Sequence, residues 1–279
     1  MVVCGAKPMP LFKYVCPERV GVIQNLKIRF TPASEFNDPF EFMPDTSVLF
    51  DPVWEKQTEE NLVAKVLKIG KPAPGATPEQ IAEAVRMTVR SIRQDLKPEA
   101  QTEFVDGLRE VKGGLRILCL SRLKPDTPEA LLMWAHYTCG HQGFVIAFHE
   151  DHPWITGNVG CGIPYRDFGE VDYLPKRPRS KMGASEREYY LVKSEHWKYE
   201  REVRLVRAEG DPDLDAASLS EFPAEALASI TLGVSALDTT RTSILDGLRS
   251  NPNLSSVKLY QARVDPDEYR LRVEPMPLQ

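Results

Sequence analysis

The chain has 279 residues, of which 42% are hydrophobic and 27% are charged, and its formal net charge is −5. This composition is ordinary for a soluble globular protein, and the negative charge argues against broad binding to nucleic acid or to anionic membranes. No apolar run reaches the roughly 18 to 20 residues of a membrane span, and the N-terminus lacks a secretory signal pattern. The 5 cysteines are widely spaced and contain no Cys-x-x-Cys pair, so we expect reduced thiols in a cytoplasmic protein, without a disulfide framework or a zinc site.

The first part of the chain predicts two short strands followed by helices. Residues 11–15 are apolar apart from Lys13, and residues 27–31 alternate in the manner of a strand. Residues 51–112 have helical spacing, and the Thr-Pro-Glu-Gln sequence at 77–80 is a capping box. We interpret residues 51–112 as a helical insertion that carries no site.

A turn signature lies between these two parts. Asn37 and Asp38 precede a proline, and three phenylalanines surround them. Such side chains bond to nearby backbone and tolerate tight turns, so Asn37, Asp38 and Glu41 are expected at a rigid, partly buried corner. A purely structural turn explains the pattern as well as a functional one does.

Residues 115–148 predict a strand, a helix and a second strand. The first strand ends on Ser121, and the helix and its exit carry an unusual concentration of polar aromatic and imidazole side chains. Taken singly, each fits a core with satisfied polar tips. Together they predict a polar pocket, to which we assign Ser121, Trp134, His136, Tyr137 and His141.

A later strand is predicted at residues 199–208. Alternation places Glu200, Glu202 and Arg204 on one face, with the two carboxylates about 6 to 7 Å apart. Two crowded carboxylates raise each other's pKa, and a neighbouring Arg opposes that effect. The pattern suits either a catalytic cluster or a ladder of ion pairs between strands.

The whole pattern predicts a single α+β domain over residues 1–279. Residues 229–273 add a strand, a helix and a closing hairpin at the C-terminal end. We therefore expect a mixed, mostly antiparallel sheet, with a split sheet as one form of it, and the helical insertion at 51–112.

Four blocks of sequence carry a resemblance to a known family. They are LFKY at the start, IRFTPASEFNDPFE, LLMWAHYTCGHQGFVIAF, and Lys-x-x-x-Trp-x-Tyr-Glu-x-Glu-x-Arg at residues 193–204. In this order they resemble the bacterial family called domain of unknown function 2971, over most of residues 11–273. The resemblance implies a fold and no activity.

A more distant likeness connects the chain to NAD-dependent ADP-ribosyltransferases. Those enzymes have a split mixed sheet, with an early strand at the nicotinamide end, a second strand with an aromatic or hydroxyl group, and a late strand with a Glu, often as Glu-x-Glu. Lys13 and Tyr14 match the first position, where Lys13 would replace the usual Arg or His. Residues 30–31 or Ser121 match the second, and residues 200–202 match the third.

This likeness implies that NAD is the substrate of a glycosyl transfer to an unknown protein or nucleic-acid acceptor. A fixed carboxylate stabilises the oxocarbenium-like state of such a reaction. Glu202 would be that catalytic carboxylate, Glu200 its partner and His136 a further catalytic group. The remaining ligand-binding residues would be Lys13, Tyr14, Asn37, Asp38, Ser121, Trp134, Tyr137, His141 and Arg204. Among them, Tyr14 and Trp134 would stack on the ligand, and Arg204 would orient the acids or contact phosphate.

Two alternatives remain open at this point. In a metal-dependent hydrolase or nuclease, Asp38, Glu41, Glu200 and Glu202 would bind a divalent cation, with His136 or His141 as general base. This alternative requires the turn at residues 37–41 to lie close to Glu202. In a sensor or interaction module of a bacterial stress or phage response, the same side chains would form a structural polar network.

Overall fold

The computed structural model describes residues 9–45, 52–69, 76–95, 98–156, 166–179 and 187–277. Its strands are β1 (Leu11–Val15), β2 (Lys27–Arg29), β3 (Thr31–Pro32), β4 (Leu115–Ser121), β5 (Phe144–Phe148), β6 (Asp167–Glu170), β7 (Asp172–Leu174), β8 (Val192–Ser194), β9 (Glu202–Ala208), β10 (Leu219–Glu221), β11 (Leu227–Leu232), β12 (Lys258–Val264) and β13 (Leu271–Pro275).

Eight α-helices are present in this described part of the chain. They are α1 (Gly21–Asn25), α2 (Pro52–Ile69), α3 (Pro78–Asp95), α4 (Pro98–Gly114), α5 (Ala130–Tyr137), α6 (Pro153–Thr156), α7 (Arg187–Tyr190) and α8 (Asp238–Ser250). None of the helices in these residues is both long and apolar enough to span a bilayer.

Most of the strands join one mixed sheet of nine strands in the order β13-β12-β11-β5-β1-β4-β9-β6, with β3 also paired to β4. β11 and β12 are parallel, and the other neighbouring pairs of this sheet are antiparallel. The predicted α+β fold with a mixed, mostly antiparallel sheet is therefore confirmed.

The sheet is split between β1 and β4. β1 pairs with β5 along its whole length, and β4 pairs with β9 along its whole length. Between β1 and β4, in contrast, the described residues contain the single register pair Phe12 and Ser121. Beyond this pair the two strands diverge, and the two halves of the sheet leave a gap in the middle of the fold.

The two faces of the sheet bury different clusters. Leu118 and Ile146 point to one face, where they pack with Ile23 of α1 and Ile244 of α8. Phe12, Tyr14, Val145 and Ala147 occupy the other face and pack against Trp134 and Met133 of α5. The alternation of side chains along β1 and β5 therefore places α5 on one side of the gap.

The predicted helical insertion forms α2, α3 and α4. The capping box is confirmed, because the Thr77 amide donates to Oε1 of Gln80 at 2.9 Å and the Gln80 amide donates to Oγ1 of Thr77 at 3.3 Å. α4 leads directly into β4, and Lys112 near its end donates to the carbonyl oxygen of Glu41 at 3.2 Å. The insertion thus supports the turn at residues 37–41 from outside the sheet.

Candidate active site in the split of the sheet

A cavity of about 360 Å³ occupies the gap between β1 and β4, and we call it the cleft. Five parts of the chain meet there: β1, β4, α5, the turn at residues 37–41 and the start of β9 with the residues before it. The polar side chains that line the cleft include Lys13, Tyr14, Asn37, Glu41, Ser121, His136, Tyr137, Lys193, Glu200 and Glu202. Eight of the twelve residues assigned to the site from sequence are among them; Asp38, Trp134, His141 and Arg204 are not.

The two carboxylates reach the cleft by a different route from the one predicted. Residues 199–201 are not part of a strand: Glu200 ends a 3-10 helix (Glu195–Glu200), and β9 begins at Glu202. Arg201 lies between them in a left-handed conformation with φ 45°. This turn changes the direction of the chain, so both carboxylates still point into one cavity.

Ser121 holds this turn in place. Its hydroxyl donates to the carbonyl oxygen of Glu200 and accepts the Leu123 amide at 2.9 Å. The neighbouring Arg122 amide donates to the carbonyl oxygen of Arg201 at 2.9 Å. The hydroxyl of Ser121 is thus committed to backbone groups, and the residue positions Glu200 at the edge of the cleft.

Lys193 of β8 is the centre of the charged cluster. Its Nζ lies 2.6 Å from Oε2 of Glu200, 3.0 Å from Oε1 of Glu41 and 3.3 Å from Oε2 of Glu202. The contact with Glu41 is an ion pair without the alignment of a hydrogen bond. All four side chains are buried, so the ammonium group lies among three carboxylates in a region of low dielectric.

Arg204 of β9 is the second cation of this cluster. Its Nε and Nη2 donate to the two oxygens of Glu202 at 2.8 and 2.9 Å, and Nη2 lies 3.1 Å from Oε2 of Glu41. Nη1 donates to the Tyr190 carbonyl oxygen at 2.8 Å, and the guanidinium lies over the Phe36 and Phe42 rings. Because Arg204 is fully buried and bonded to Glu202, its geometry suits the first of its two predicted roles, orientation of the acids, and not the second, contact with phosphate.

The pKa values of Glu202 and Glu41 are shifted in opposite directions. Burial alone would raise the pKa of Glu202, but the positive charges of Arg204 and Lys193 outweigh burial and lower it to about 2. For Glu41, burial outweighs the same two cations and raises the pKa. Glu202 is therefore fully ionised at neutral pH.

The end of α5 contributes two side chains to the cleft: Tyr137, which is bonded to Glu200, and His136 at its edge. The hydroxyl of Tyr137 donates to Oε1 of Glu200, and its pKa is raised, first by burial and then by the charge of Glu200. His136 is exposed at the edge of the cleft, and its Nδ1 lies 3.1 Å from the hydroxyl of Tyr199. Both residues therefore meet at the cleft as the sequence predicted.

Lys13 lies directly in the gap between the strands. Its Nζ donates to the carbonyl oxygen of Cys119 in β4 at 2.9 Å, where a continuous sheet would have a backbone amide. Burial lowers the pKa of this amine. The amine therefore bridges the two halves of the sheet while it forms part of the cavity wall.

The predicted stacking of Trp134 on a ligand is wrong. Trp134 is 0% exposed, its indole N–H donates to the Pro125 carbonyl oxygen at 2.9 Å, and the edge of Tyr14 packs against it with ring centroids 5.5 Å apart. Tyr14 itself is buried, and its hydroxyl donates to the Leu123 carbonyl oxygen at 3.1 Å. Both rings are core residues, although Tyr14 also touches the wall of the cleft.

Two further predictions require correction. His141 does not line the cleft; its ring stacks on Trp134 at 6.3 Å, and burial lowers its pKa. Asp38 is buried and accepts the Phe40 amide at 2.9 Å in an Asx turn, beside a separate cavity of about 210 Å³. Asn37 does line the cleft.

The geometry does not favour the metal-dependent alternative. The turn at residues 37–41 does lie close to Glu202, as that alternative requires. However, Glu41, Glu200 and Glu202 converge on the ammonium of Lys193, which occupies the position a cation would need. Within the described residues, one group of three potential metal-ligating side chains lies close together. It consists of Cys16, Glu18 and Cys139 at the surface, and its two cysteines are bonded to each other.

Sequence reasoning missed several residues of this region. Lys193 was not assigned to the site, but it lies in β8 and reaches the acids; its place at the start of the Lys-x-x-x-Trp motif was the available signal. The Tyr173 hydroxyl accepts the Glu202 amide at 2.8 Å. Cys16, which lines the cleft, forms a disulfide with Cys139, so the expectation of reduced cysteines throughout is wrong.

Comparisons with family models, with curated proteins and with solved structures find no match to this chain.

Proposed function

We propose that the cleft binds a nicotinamide dinucleotide and cleaves its N-glycosidic bond, in an ADP-ribosyltransferase-like reaction. One observation carries this proposal: Glu200 and Glu202 line a cavity at the split of a mixed sheet, and Arg204 and Lys193 keep Glu202 ionised at neutral pH. The likeness seen in the sequence points to the same two residues.

The proposed chemistry needs a fixed negative charge. When the bond between the ribose C1′ and the nicotinamide nitrogen breaks, its electron pair leaves with nicotinamide and positive charge develops on the ribose. A carboxylate held in place before the reaction stabilises that charge without reorganisation. Glu202 meets this requirement, because Arg204 fixes both of its oxygens and keeps it ionised.

The other polar residues have supporting roles in this proposal. Glu200 adds a second negative charge, and the Tyr137 hydroxyl fixes its orientation. His136 at the rim is available to take a proton from the attacking nucleophile. Phe12, Val15, Leu120 and Met133 give the same cavity apolar walls, which suit the planar nicotinamide ring.

The direct test follows nicotinamide release from NAD by mass spectrometry, with and without cell extract as a source of acceptors. The wild-type protein is compared with Glu202→Gln, in which a neutral group of the same shape replaces the carboxylate. We expect nicotinamide release that falls at least about 100-fold in the variant, in line with the loss of one preorganised electrostatic group. Release from NAD that is absent with the wild-type protein, with extract present, refutes the proposal.

A matched control comes from the 3-10 helix that precedes β9. Glu195 is exposed at its start, so Glu195→Gln removes a carboxylate of the same type outside the cleft. We expect this variant to release nicotinamide at the wild-type rate. Equal losses in Glu195→Gln and Glu202→Gln would contradict the assignment of the site.

A binding module without catalysis is the second candidate. The observation that favours it is that both oxygens of Glu202 are already bonded to Arg204, as in a structural ion pair. Calorimetric titration with NAD separates the two candidates. Binding without release of nicotinamide would favour the binding module.

A further inference from the structure

A second and larger cavity adjoins the cleft. Its volume is about 620 Å³, and it lies between the end of β1, the 3-10 helix (Pro17–Arg19), α1 and β2. Lys13, Val15, Arg19 and Thr31 line both cavities, so the two share a wall at the gap in the sheet. We call this second cavity the basic groove.

The basic groove has a larger excess of positive charge than the cleft. Lys13, Arg19, Lys27 and Arg29 line it, and its one acidic lining residue in the described chain is Glu18. The cleft is lined by three cations (Lys13, Arg19 and Lys193) and by four carboxylates (Glu35, Glu41, Glu200 and Glu202). An anionic group is therefore attracted more strongly to the groove than to the cleft.

The cations of the groove differ in whether they already have an ion-pair partner. Arg29 lies 2.8 Å from Glu35, and Lys27 lies 3.4 Å from Glu221, in pairs that are partly exposed to solvent. Such exposed pairs are weak and exchange readily for a better partner. Arg19 is exposed and has no ion-pair partner among the described residues, which leaves its guanidinium available to an anion.

We propose that the basic groove binds the phosphate groups of a nucleoside diphosphate moiety, with Arg19 as the principal contact, while the other end of the same ligand lies in the cleft. Guanidinium groups bind phosphate through two parallel hydrogen bonds, and lysine adds a point charge. The groove has the larger excess of positive charge, so the charge pattern favours the phosphates in the groove and the other end of the ligand in the cleft. The inference deepens the proposed function and rests on it for the identity of the second end.

The volumes of the two cavities agree with a ligand of this size. Cavities of 360 and 620 Å³ each fall within the range of about 300 to 1,000 Å³ that is usual for small-molecule sites. A dinucleotide can therefore place one of its two nucleosides in each cavity. The phosphates of a dinucleotide lie between its two nucleosides, and Lys13 and Arg19 lie where the two cavities meet.

The experiment uses ADP as the probe in calorimetric titrations, with adenosine as the comparison that lacks phosphate. We expect wild-type protein to bind ADP, to bind adenosine at least 10-fold more weakly, and to lose ADP affinity as salt is raised from 50 to 300 mM. In Arg19→Ala we expect ADP to bind at least 10-fold more weakly than in the wild type. Equal affinity for ADP and adenosine, or an unchanged ADP affinity in Arg19→Ala, overturns the proposal.

Arg263 provides a matched control, because it is an exposed arginine on β12, outside the lining of either cavity. Arg263→Ala should bind ADP as the wild-type protein does, and an equal loss there would overturn the role of the groove. Arg19 is at the surface, so its replacement leaves the core intact, and a circular dichroism melt of each variant verifies this.

The same proteins separate this inference from the proposed function. ADP binding that depends on Arg19, without any release of nicotinamide from NAD, supports the groove and refutes the proposed reaction. Nicotinamide release with the same KM for NAD in the wild type and Arg19→Ala supports the reaction and refutes the groove.

Discussion

Lys193 donates a hydrogen bond of 2.6 Å to Glu200 across two elements, from β8 to the end of the 3-10 helix that precedes β9. The same ammonium lies close to Glu41 and Glu202, so a single side chain connects the turn at residues 37–41 with both ends of the Glu-x-Glu sequence. Lys193 therefore contacts all three carboxylates of the cluster, whereas the second buried cation, Arg204, contacts two of them.

Replacement of Lys193 by methionine should destabilise the protein strongly. Three buried carboxylates would lose their shared cation, and breaking a buried ion pair by removing one partner typically costs about 3–5 kcal/mol. Urea unfolding at pH 7 measures this change in the free energy of unfolding. Lys198→Met is the control, because Lys198 is exposed on the 3-10 helix that precedes β9. Its replacement should cost less than about 0.5 kcal/mol. Similar losses in both variants would contradict the central role of Lys193.

The stability of the wild-type protein should fall in acid, and Glu202 should account for much of the fall. Its folded pKa of about 2 lies below the value of an unfolded glutamate, so ionised Glu202 contributes stability above about pH 4.3 that is lost as the pH falls toward 2. The contribution is on the order of 3 kcal/mol. Glu41 acts with the opposite sign, because its raised pKa favours the folded state at low pH.

Comparison with Glu202→Gln isolates this contribution. Unfolding curves between pH 2 and pH 6 should show a wild-type advantage near neutrality that narrows progressively below about pH 4. Glu195→Gln should follow the wild-type curve throughout. A gap between wild type and Glu202→Gln that stays constant with pH would show that the Glu202 carboxylate is not held ionised by its neighbours.

The sequence predicted more of the cleft than of the core behind it. Glu200, Glu202, Tyr137 and Lys13 meet as expected, because the chain order of strands brings them to the gap in the sheet. Trp134 could not be separated from these residues by pattern, since an aromatic ring on a short helix looks the same whether it faces a ligand or the core. The side of α5 that meets β1 is decided by tertiary packing, which local sequence does not encode.

The sequence did not predict the ion pair between Glu41 and Lys193, although it grouped Glu200, Glu202 and Arg204. Glu41 and Lys193 are far apart in the chain, so no local pattern connects them. Their contact depends on how the turn at residues 37–41 folds back over β9. Spacing rules apply within one helix or strand, so they could not reveal an ion pair between distant loops and strands.

Trp134→Phe distinguishes a core role from a ligand-binding role. The change removes the indole hydrogen bond to Pro125 and leaves space in a fully buried site, so we expect a loss of about 1–4 kcal/mol in the free energy of unfolding. The affinity for ADP and the KM for NAD should not change. A weaker affinity for either ligand, at a temperature where the variant is fully folded, would contradict the burial of this ring.

Tyr137→Phe is the complementary variant. It keeps the ring but removes the hydroxyl that donates to Glu200, so Glu200 loses its second partner inside the cleft. We expect slower release of nicotinamide with a smaller effect on stability than that of Trp134→Phe. If both variants changed stability and turnover in the same proportion, the distinction between the core and the cleft would not hold.

The disulfide between Cys16 and Cys139 should contribute measurably to stability. It joins the residue after β1 to the turn after α5, across a sequence separation of 123 residues, and so ties the end of β1 to the end of α5. A bond that closes so long a loop typically stabilises the protein by about 2–5 kcal/mol, because it restricts the unfolded chain.

Urea unfolding of the wild-type protein with and without a phosphine reductant should reveal a change of that size in the free energy of unfolding. The double variant Cys16→Ser, Cys139→Ser should resemble the reduced wild type and should not respond to the reductant, because Cys119 is the one other cysteine in the described residues and is unpaired. A double variant that still responded to the reductant would place the sensitive bond elsewhere in the chain.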